Sequence, residues 1–133
     1  MARGAVERKP TMGYHDDIVA LAKQNEDFRH EVITGQHSQV VLMSVAPGED
    51  IGEEVHVGTD QTLIFVSGVG EAVLNGEKSP ITINSLYFVP AGTRHNFINT
   101  GTTPLKLYTI YAPPEHARGT VVRTRAEAQA ARH

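Results

Sequence analysis

Two short stretches of the sequence hold polar side chains at spacings that suit a metal site. Glu54 and His56 lie two residues apart, so on an extended strand both side chains would point to the same face. Gln61 follows a segment, Gly58-Thr59-Asp60, whose residue types favour a turn. A hairpin at this turn would bring the amide of Gln61 to the carboxylate of Glu54 and the imidazole of His56.

The second stretch supplies another imidazole. His95 follows the turn residues Pro90-Ala91-Gly92 and begins the strip HNFIN, in which Phe97 and Asn99 share its face. Two neutral imidazoles, one carboxylate and one amide oxygen suit a divalent first-row metal such as Mn, Fe, Co, Ni or Zn. The sequence therefore indicates a site for one divalent ion.

The elements that must position these residues are predicted to be short strands. Val, Ile and Thr account for 34 of the 133 residues, and such side chains suit half-buried pleated sheets. From Glu31 onward, turn residues separate the apolar strips EVIT, SQVVLMSV, QTLIFVS, EAVL, ITI, SLYFV, HNFIN and LKLYTIY. This pattern predicts an all-β sandwich or barrel. Asn75-Gly76, between two strips, predicts a hairpin with a type I′ turn.

Two helical segments flank the predicted barrel. Acidic residues followed by apolar residues at helical spacing predict a helix over about 16–25. Near the end, Thr124 and Glu127 form the pattern of a capping box and predict a short last helix. We divide the chain into an N-terminal arm (1–13), a barrel domain (14–117) and a C-terminal tail with a short helix (118–133).

Composition excludes several classes of function. Fifteen acidic against twelve basic residues leave a net charge of −3, which argues against a nucleic-acid partner. The longest aliphatic runs, VVLM and LIFV, are far shorter than the ~20 apolar residues of a membrane helix, and no secretory signal is visible. The absence of cysteine excludes disulfides and thiolate metal sites, and we expect a cytoplasmic protein.

The two polar stretches resemble the two motifs of the cupin family, which read G-x5-H-x-H-x(3,4)-E-x6-G and G-x5-P-x-G-x2-H-x3-N. The stretch from about 12 to 128 is further similar to small single-domain bacterial cupins labelled mannose-6-phosphate isomerase-like, through MGYHDDI, EVHVGTDQ and LYTIYAPPEH. The motif spacings fit Gly48, Glu54, His56, Gln61 and Gly68, then Pro90, Gly92, His95 and Asn99.

The resemblance implies a ligand set and a fold. In the family, two His and a Glu of the first motif and one His of the second bind the metal. These positions correspond to Glu54, His56, Gln61 and His95. Glu54 therefore replaces a His of the family, and Gln61 replaces its Glu. Outside the ligand set, Asn84 replaces the first Gly of the second motif. The total ligand charge stays at −1, which favours retained metal binding. The implied fold is the cupin double-stranded β-helix, a jelly-roll barrel.

The resemblance also implies a function. We expect a metal-dependent enzyme of isomerase or lyase type that acts on a small polar substrate, sugar-like or carboxylated. The alternatives are an Fe(II)-dependent oxygenase and a non-catalytic cupin that binds a small ligand. We expect a homodimer that binds neither nucleic acid nor membranes. The sequence does not identify the catalytic residues.

Four further polar residues allow two interpretations each. Asp60 is a second metal-ligand candidate or a turn residue, and Arg94 suits an anionic substrate or a solvated surface. Tyr111 projects inward as a proton donor or packs at a strand end, and His116 lies at the rim of a pocket or in a loop.

Overall fold

Two antiparallel sheets and two short helices make up residues 13–131, the part of the chain that this computed structural model describes. The larger sheet has the strand order β6-β3-β8-β2-β1-β9 and the smaller one β5-β4-β7. The predicted all-β class is confirmed. In chain order the elements are α1 (Ile18–Gln24), β1 (Arg29–Thr34), β2 (Gln39–Val45), β3 (Asp60–Ser67), β4 (Gly70–Leu74), β5 (Glu77–Ile81), β6 (Leu86–Val89), β7 (His95–Asn99), β8 (Leu105–Ala112), β9 (Val121–Val122) and α2 (Arg125–Ala131).

The main core lies between the inner faces of the two sheets. Alternation along β2 shows how it forms, because Val41, Met43 and Val45 join this core, whereas Leu42 packs with α1 on the outer face. Burial of this apolar surface is the main stabilising contribution to the fold. The largest core side chains from both sheets are Phe65, Phe97, Met43, Leu63, Ile81, Leu105 and Leu107.

One end of the larger sheet's inner face is polar. Gln39 lies opposite Tyr111, and Tyr111 lies opposite Gln61 on the next strand, so their side chains form a row across β2, β8 and β3. All three residues are almost completely buried. Buried polar groups are costly unless they find partners, so this end of the barrel requires hydrogen bonds or a ligand.

The β4–β5 hairpin confirms the predicted Asn75-Gly76 turn, since both residues have the positive φ that a type I′ turn needs (49° and 84°). The strand predicted at ITI (81–83) is wrong, because β5 covers Glu77–Ile81. The two-residue turn sets Leu74 opposite Glu77, and this register continues to Ile81. Pro80 is tolerated because β5 is an edge strand.

Both predicted helices are present. The Asp17 side chain caps α1 by accepting a hydrogen bond from the backbone N–H of Ala20 at 3.0 Å, so this helix begins slightly later than predicted. At α2 the hydroxyl of Thr124 accepts from the N–H of Glu127 at 3.1 Å, as in a capping box. The Glu127 carboxylate accepts from the N–H of Arg123, one residue before the expected donor.

The C-terminal segment joins the barrel rather than trailing from it. β9 pairs with β1, and Ala128 of α2 is part of the main core. Of the predicted arm (1–13), residues 1–12 lie outside the described residues, so the predicted domain boundaries stay a prediction. No helix between residues 13 and 131 is both long and apolar enough to cross a membrane.

Gly70 lies where β4 packs closely against its neighbour β7 in the smaller sheet. A Cβ at this position would collide with the backbone carbonyl oxygen of Ile98 on β7. We predict that Gly70→Ala lowers the free energy of unfolding by about 2 kcal/mol or more, because the obstacle is backbone. The matched control is Gly35→Ala, whose Cβ would meet its nearest atom at 3.6 Å and should change stability by less than about 0.5 kcal/mol. Urea unfolding measures both, and equal effects would contradict the packing described here.

Candidate metal centre

A backbone pair brings the two sequence motifs together. The N–H of Glu54 donates to the carbonyl of His95 at 2.9 Å, and the N–H of His95 donates to the carbonyl of Glu54 at the same distance. Residues that exchange both bonds in an antiparallel bridge send their side chains to the same face. Glu54 lies in this isolated bridge rather than in a strand. The bridge nevertheless places the carboxylate beside the imidazole.

His56 completes a cluster with these two residues. Its backbone carbonyl accepts from the N–H of Gly92 at 2.8 Å, which fixes it to the turn before β7. The rings of His56 and His95 lie 5.2 Å apart between centroids, and His56 Nε2 lies 3.4 Å from Glu54 Oε1. One ligand atom from each of Glu54, His56 and His95 lies within 4.8 Å of the other two. This spacing suits three ligands of one ion.

Hydrogen bonds orient the two imidazoles. His95 Nδ1 lies 2.9 Å from the carbonyl oxygen of Thr93, which can only accept, so Nδ1 carries the proton and Nε2 keeps its lone pair. His56 Nδ1 lies 3.2 Å from a carboxylate oxygen of Glu115, while its buried Nε2 has no hydrogen-bond partner. Such partners on the second ring nitrogen are typical of metal-binding histidines.

The two imidazoles have opposite pKa shifts. The pKa of His56 is raised, chiefly by the Glu54 carboxylate and further by Glu115, against the effect of burial. Burial is the main cause of the lowered pKa of His95, and the nearby His56 adds to it. The raised pKa favours the protonated form of His56 between two carboxylates, and a divalent cation would compete with that proton.

Gln61 presents an unsatisfied oxygen. The Thr109 hydroxyl donates its only proton to the carbonyl of Thr62 at 2.9 Å, so it must accept the bond from Gln61 Nε2 at 3.0 Å. Gln61 Oε1 is buried and has no hydrogen-bond partner. A lone buried carbonyl oxygen is costly, and a cation would satisfy it. The donor set thus fits a divalent metal, and the assignment of Gln61 as fourth ligand stays a prediction.

A pocket of about 330 Å³ opens next to the cluster. Two of its lining residues, Arg29 and Glu115, lie outside both sequence motifs and were not predicted. His116 also lines the pocket, in agreement with the first of its two interpretations. Tyr111 projects inward, and its ring packs edge-on against His56 and His116 at 5.9 and 5.0 Å. The polar lining residues are Arg29, Glu54, His56, Glu115, His116, Arg125 and Gln129.

Gln39 holds the loop that carries two of these residues. Its Oε1 accepts from the backbone N–H groups of Glu115 and His116, at 3.3 and 3.0 Å, and its Nε2 donates to the carbonyl of His116 at 2.6 Å. The neighbouring Glu31 carboxylate accepts from the N–H of Gly119 at 3.1 Å. These buried contacts fix the loop over the pocket.

Two other candidate residues lie elsewhere. Asp60 Oδ1 accepts from the backbone N–H of Ala91 at 2.9 Å, so this exposed side chain supports the turn before β7. Arg94 is 63% exposed and lies 3.9 Å from Glu53, which agrees with the solvated interpretation. Neither residue lines the pocket at the metal cluster.

Comparisons with known proteins agree on one family. A family model described as the cupin domain matches residues 41–111, just over half of the chain. The uncharacterized protein YrkC of Bacillus subtilis is 50% identical over 121 residues, which cover 86% of this chain and 65% of that protein. The mannose-1-phosphate guanylyltransferase of Salmonella montevideo is 32% identical over 76 residues, covering 57% of this chain but 16% of that enzyme.

A solved structure extends the similarity to the whole fold. The crystal structure of BH2720 from Bacillus halodurans matches with a TM-score of 0.88 and 41% identity, covering 92% of this chain and 95% of that one. The chain spans a little under two thirds of YrkC, and a similar share of a second curated relative, so neither relative is matched over its full length.

Metal binding should stabilise the protein measurably. We predict that Mn²⁺ or Zn²⁺ raises the melting temperature of chelator-treated protein, by a free energy of about 2.7 kcal/mol at a hundredfold excess over Kd. Glu54→Ala, His56→Ala and His95→Ala should each remove most of this increase, whereas His37→Ala, at an exposed turn residue, should keep it. Differential scanning fluorimetry checks this, and an equal metal response in all variants would contradict the assignment.

The role of Gln61 can be tested by charge. We predict that Gln61→Glu raises the affinity for Mn²⁺, because a second carboxylate beside Glu54 attracts the dication more strongly. The matched control is Gln36→Glu, which adds the same charge at an exposed turn. Calorimetric titration with Mn²⁺, Ni²⁺ and Zn²⁺ measures the change. Identical affinities in wild type and Gln61→Glu for every metal would show that Gln61 is not a ligand.

Proposed function

The chain belongs to the cupin family, and on this basis we propose that it is a metal-dependent enzyme of isomerase or lyase type that acts on a small polar substrate, sugar-like or carboxylated. One observation carries the proposal. Glu54 and His56, two of the three residues in the cluster with His95, line a pocket with polar side chains. Structural metal sites are closed, whereas catalytic sites leave a position for substrate.

The residues of the cluster would hold one divalent ion, with Gln61 as the proposed fourth ligand. Zn, Mn, Fe, Ni and Co all suit this mixture of nitrogen and oxygen donors. When bound, the ion would supply Lewis-acid polarisation of a carbonyl or hydroxyl oxygen of the substrate.

The chain itself supplies a group that can accept a proton. Burial, helped by the charge of Arg29, lowers the pKa of His116 to about 4, so this side chain is neutral at pH 7. Its Nε2 is buried, has no hydrogen-bond partner and belongs to a residue that lines the pocket. Isomerases and lyases of this kind need a base to remove a proton, and His116 is positioned for that role.

Tyr111 and Glu115 complete the surroundings of this base. Burial raises the pKa of the Tyr111 phenol, which therefore stays protonated beside the His116 ring. The Glu115 carboxylate holds the outer nitrogen of His56 and keeps that imidazole oriented. A proton acceptor and two residues of the metal cluster thus line one pocket, and a proton donor packs against the ring of the acceptor.

The proposal is tested by offering substrates to protein loaded with each of the five metals. D-Mannose, D-galacturonate and pyruvate are incubated in D₂O, and proton NMR follows turnover and deuterium exchange under anaerobic and under aerobic conditions. Turnover in any arm that is lost in His95→Ala supports the proposal. Turnover that requires Fe(II) and oxygen would replace it with the oxygenase, and binding without turnover would replace it with a ligand-binding cupin.

His116 gives a sharper test of the chemistry. We predict that His116→Ala lowers the rate of exchange or turnover by about 10² to 10⁴, the usual contribution of a general base. His37→Ala serves as the control, and Mn²⁺ affinity should be unchanged in both because neither residue belongs to the metal cluster. An unchanged rate in His116→Ala would exclude it as the base.

The homodimer and the cytoplasmic location stay predictions from the sequence. Size-exclusion chromatography with light scattering tests the first, and fractionation of the source cells tests the second.

A further inference from the structure

We propose that the pocket binds a small monoanion whose carboxylate pairs with the guanidinium of Arg29. This inference rests on the proposed function, because the pocket is the one beside the metal cluster. Of the two substrate classes in the proposed function, this inference favours the carboxylated substrates over the neutral sugars.

Arg29 lies on β1 and faces the interior of the barrel. It pairs with Met43, whose side chain is in the main core, so the Arg29 side chain leaves the strand on the same inner face. Its guanidinium carbon lies 5.3 Å from the centroid of the Phe28 ring, which supports the side chain from one side. From there it lines the pocket together with Glu54 and His56.

The charge of Arg29 has no counterion in residues 13–131. No carboxylate of these residues lies within 4 Å of its nitrogens, and its Nε is buried without a hydrogen-bond partner. Arg125, in the same pocket, differs, since it pairs with Asp50 at 2.6 Å and donates to its backbone carbonyl at 2.8 Å. The Arg29 side chain interacts with the Tyr111 phenol, which is neutral and does not offset its charge. A partly buried cation without a counterion is costly, and an anionic ligand would remove that cost.

Charge balance in the metal-loaded pocket points to one negative charge on the ligand. A divalent ion would offset the carboxylates of Glu54 and Glu115, and Asp50 offsets Arg125. Among the charged side chains of residues 13–131 that line the pocket, the guanidinium of Arg29 then remains without an opposite charge. A carboxylate matches it in both charge and shape, because the planar fork of guanidinium binds two carboxylate oxygens at once.

A second polar group in the pocket can hold the rest of the ligand. The unpartnered Nε2 of His116 is available for a hydrogen bond to a hydroxyl or carbonyl group. The volume of about 330 Å³ suits a molecule the size of a hydroxy acid or a uronate. The inferred ligand is therefore a small carboxylate with an adjacent hydroxyl or carbonyl.

The test compares charged and neutral molecules of nearly the same shape. Mn²⁺-loaded protein is titrated calorimetrically with D-galacturonate and D-galactose, and with lactate and 1,2-propanediol. We expect the carboxylate of at least one pair to bind tenfold or more tightly than its neutral partner. In Arg29→Gln, the affinity for the carboxylate should fall to that for its neutral analogue. In Arg29→Lys, part of the difference between the two affinities should remain, because the positive charge is kept.

The matched control is Arg94→Gln, which removes the same charge from an exposed side chain outside the pocket and should leave the affinities unchanged. Equal affinity within both pairs, absence of carboxylate binding at millimolar concentration, or preferential binding of inorganic phosphate would overturn the inference. An equal loss in Arg94→Gln would also overturn it, since the effect would then be one of net charge.

Electron paramagnetic resonance of Mn²⁺ separates this inference from the proposed function. Arg29→Gln should still bind Mn²⁺, because Arg29 is outside the metal cluster. If wild-type protein binds no metal, this result would contradict the proposed function itself. If the protein binds metal but shows no preference for carboxylates, only the inference about the substrate would be contradicted.

Discussion

The reciprocal backbone hydrogen bonds between Glu54 and His95 are the constraint on which the candidate metal site depends. They join a segment without regular secondary structure to the first residue of β7, and they place the side chains of Glu54 and His95 on the same face. His56 follows two residues later and is tied to the same turn through Gly92. Three candidate ligands from two segments about 40 residues apart are thus positioned by main-chain contacts.

Two buried glutamines at the polar end of the barrel have different roles, one structural and one as a candidate metal ligand. Gln39 and Gln61 lie in one row on either side of Tyr111. The oxygen of Gln39 accepts from the backbone of the loop at 115–116, and its nitrogen donates to the carbonyl of His116 and to the hydroxyl of Thr34, so its role is to hold that loop. Gln61 has a partner for its nitrogen only, and its free oxygen is the group that a cation would satisfy.

The charges of the pocket are arranged around a cation and an anion. Glu54 and Glu115 lie on either side of His56, so their negative charge favours a proton or a metal ion there. Arg29 lies on the far side with no carboxylate of residues 13–131 in ion-pair distance. The same low-dielectric surroundings that strengthen these interactions make either charge costly when it is alone. Metal and anion are therefore expected to support each other's binding.

The sequence by itself determined the features that depend on local pattern. Alternating apolar strips predicted the strands, Asn75-Gly76 predicted its hairpin, and the motif spacing placed Glu54, His56 and His95 in one cluster. Long-range pairing decided the rest. The register imposed by the hairpin moved β5 to Glu77–Ile81, and pairing of β9 with β1 brought the C-terminal segment into the barrel. Only the folded chain brings Arg29 and His116 into the pocket, because residues far apart in sequence leave no periodic signal of their contact.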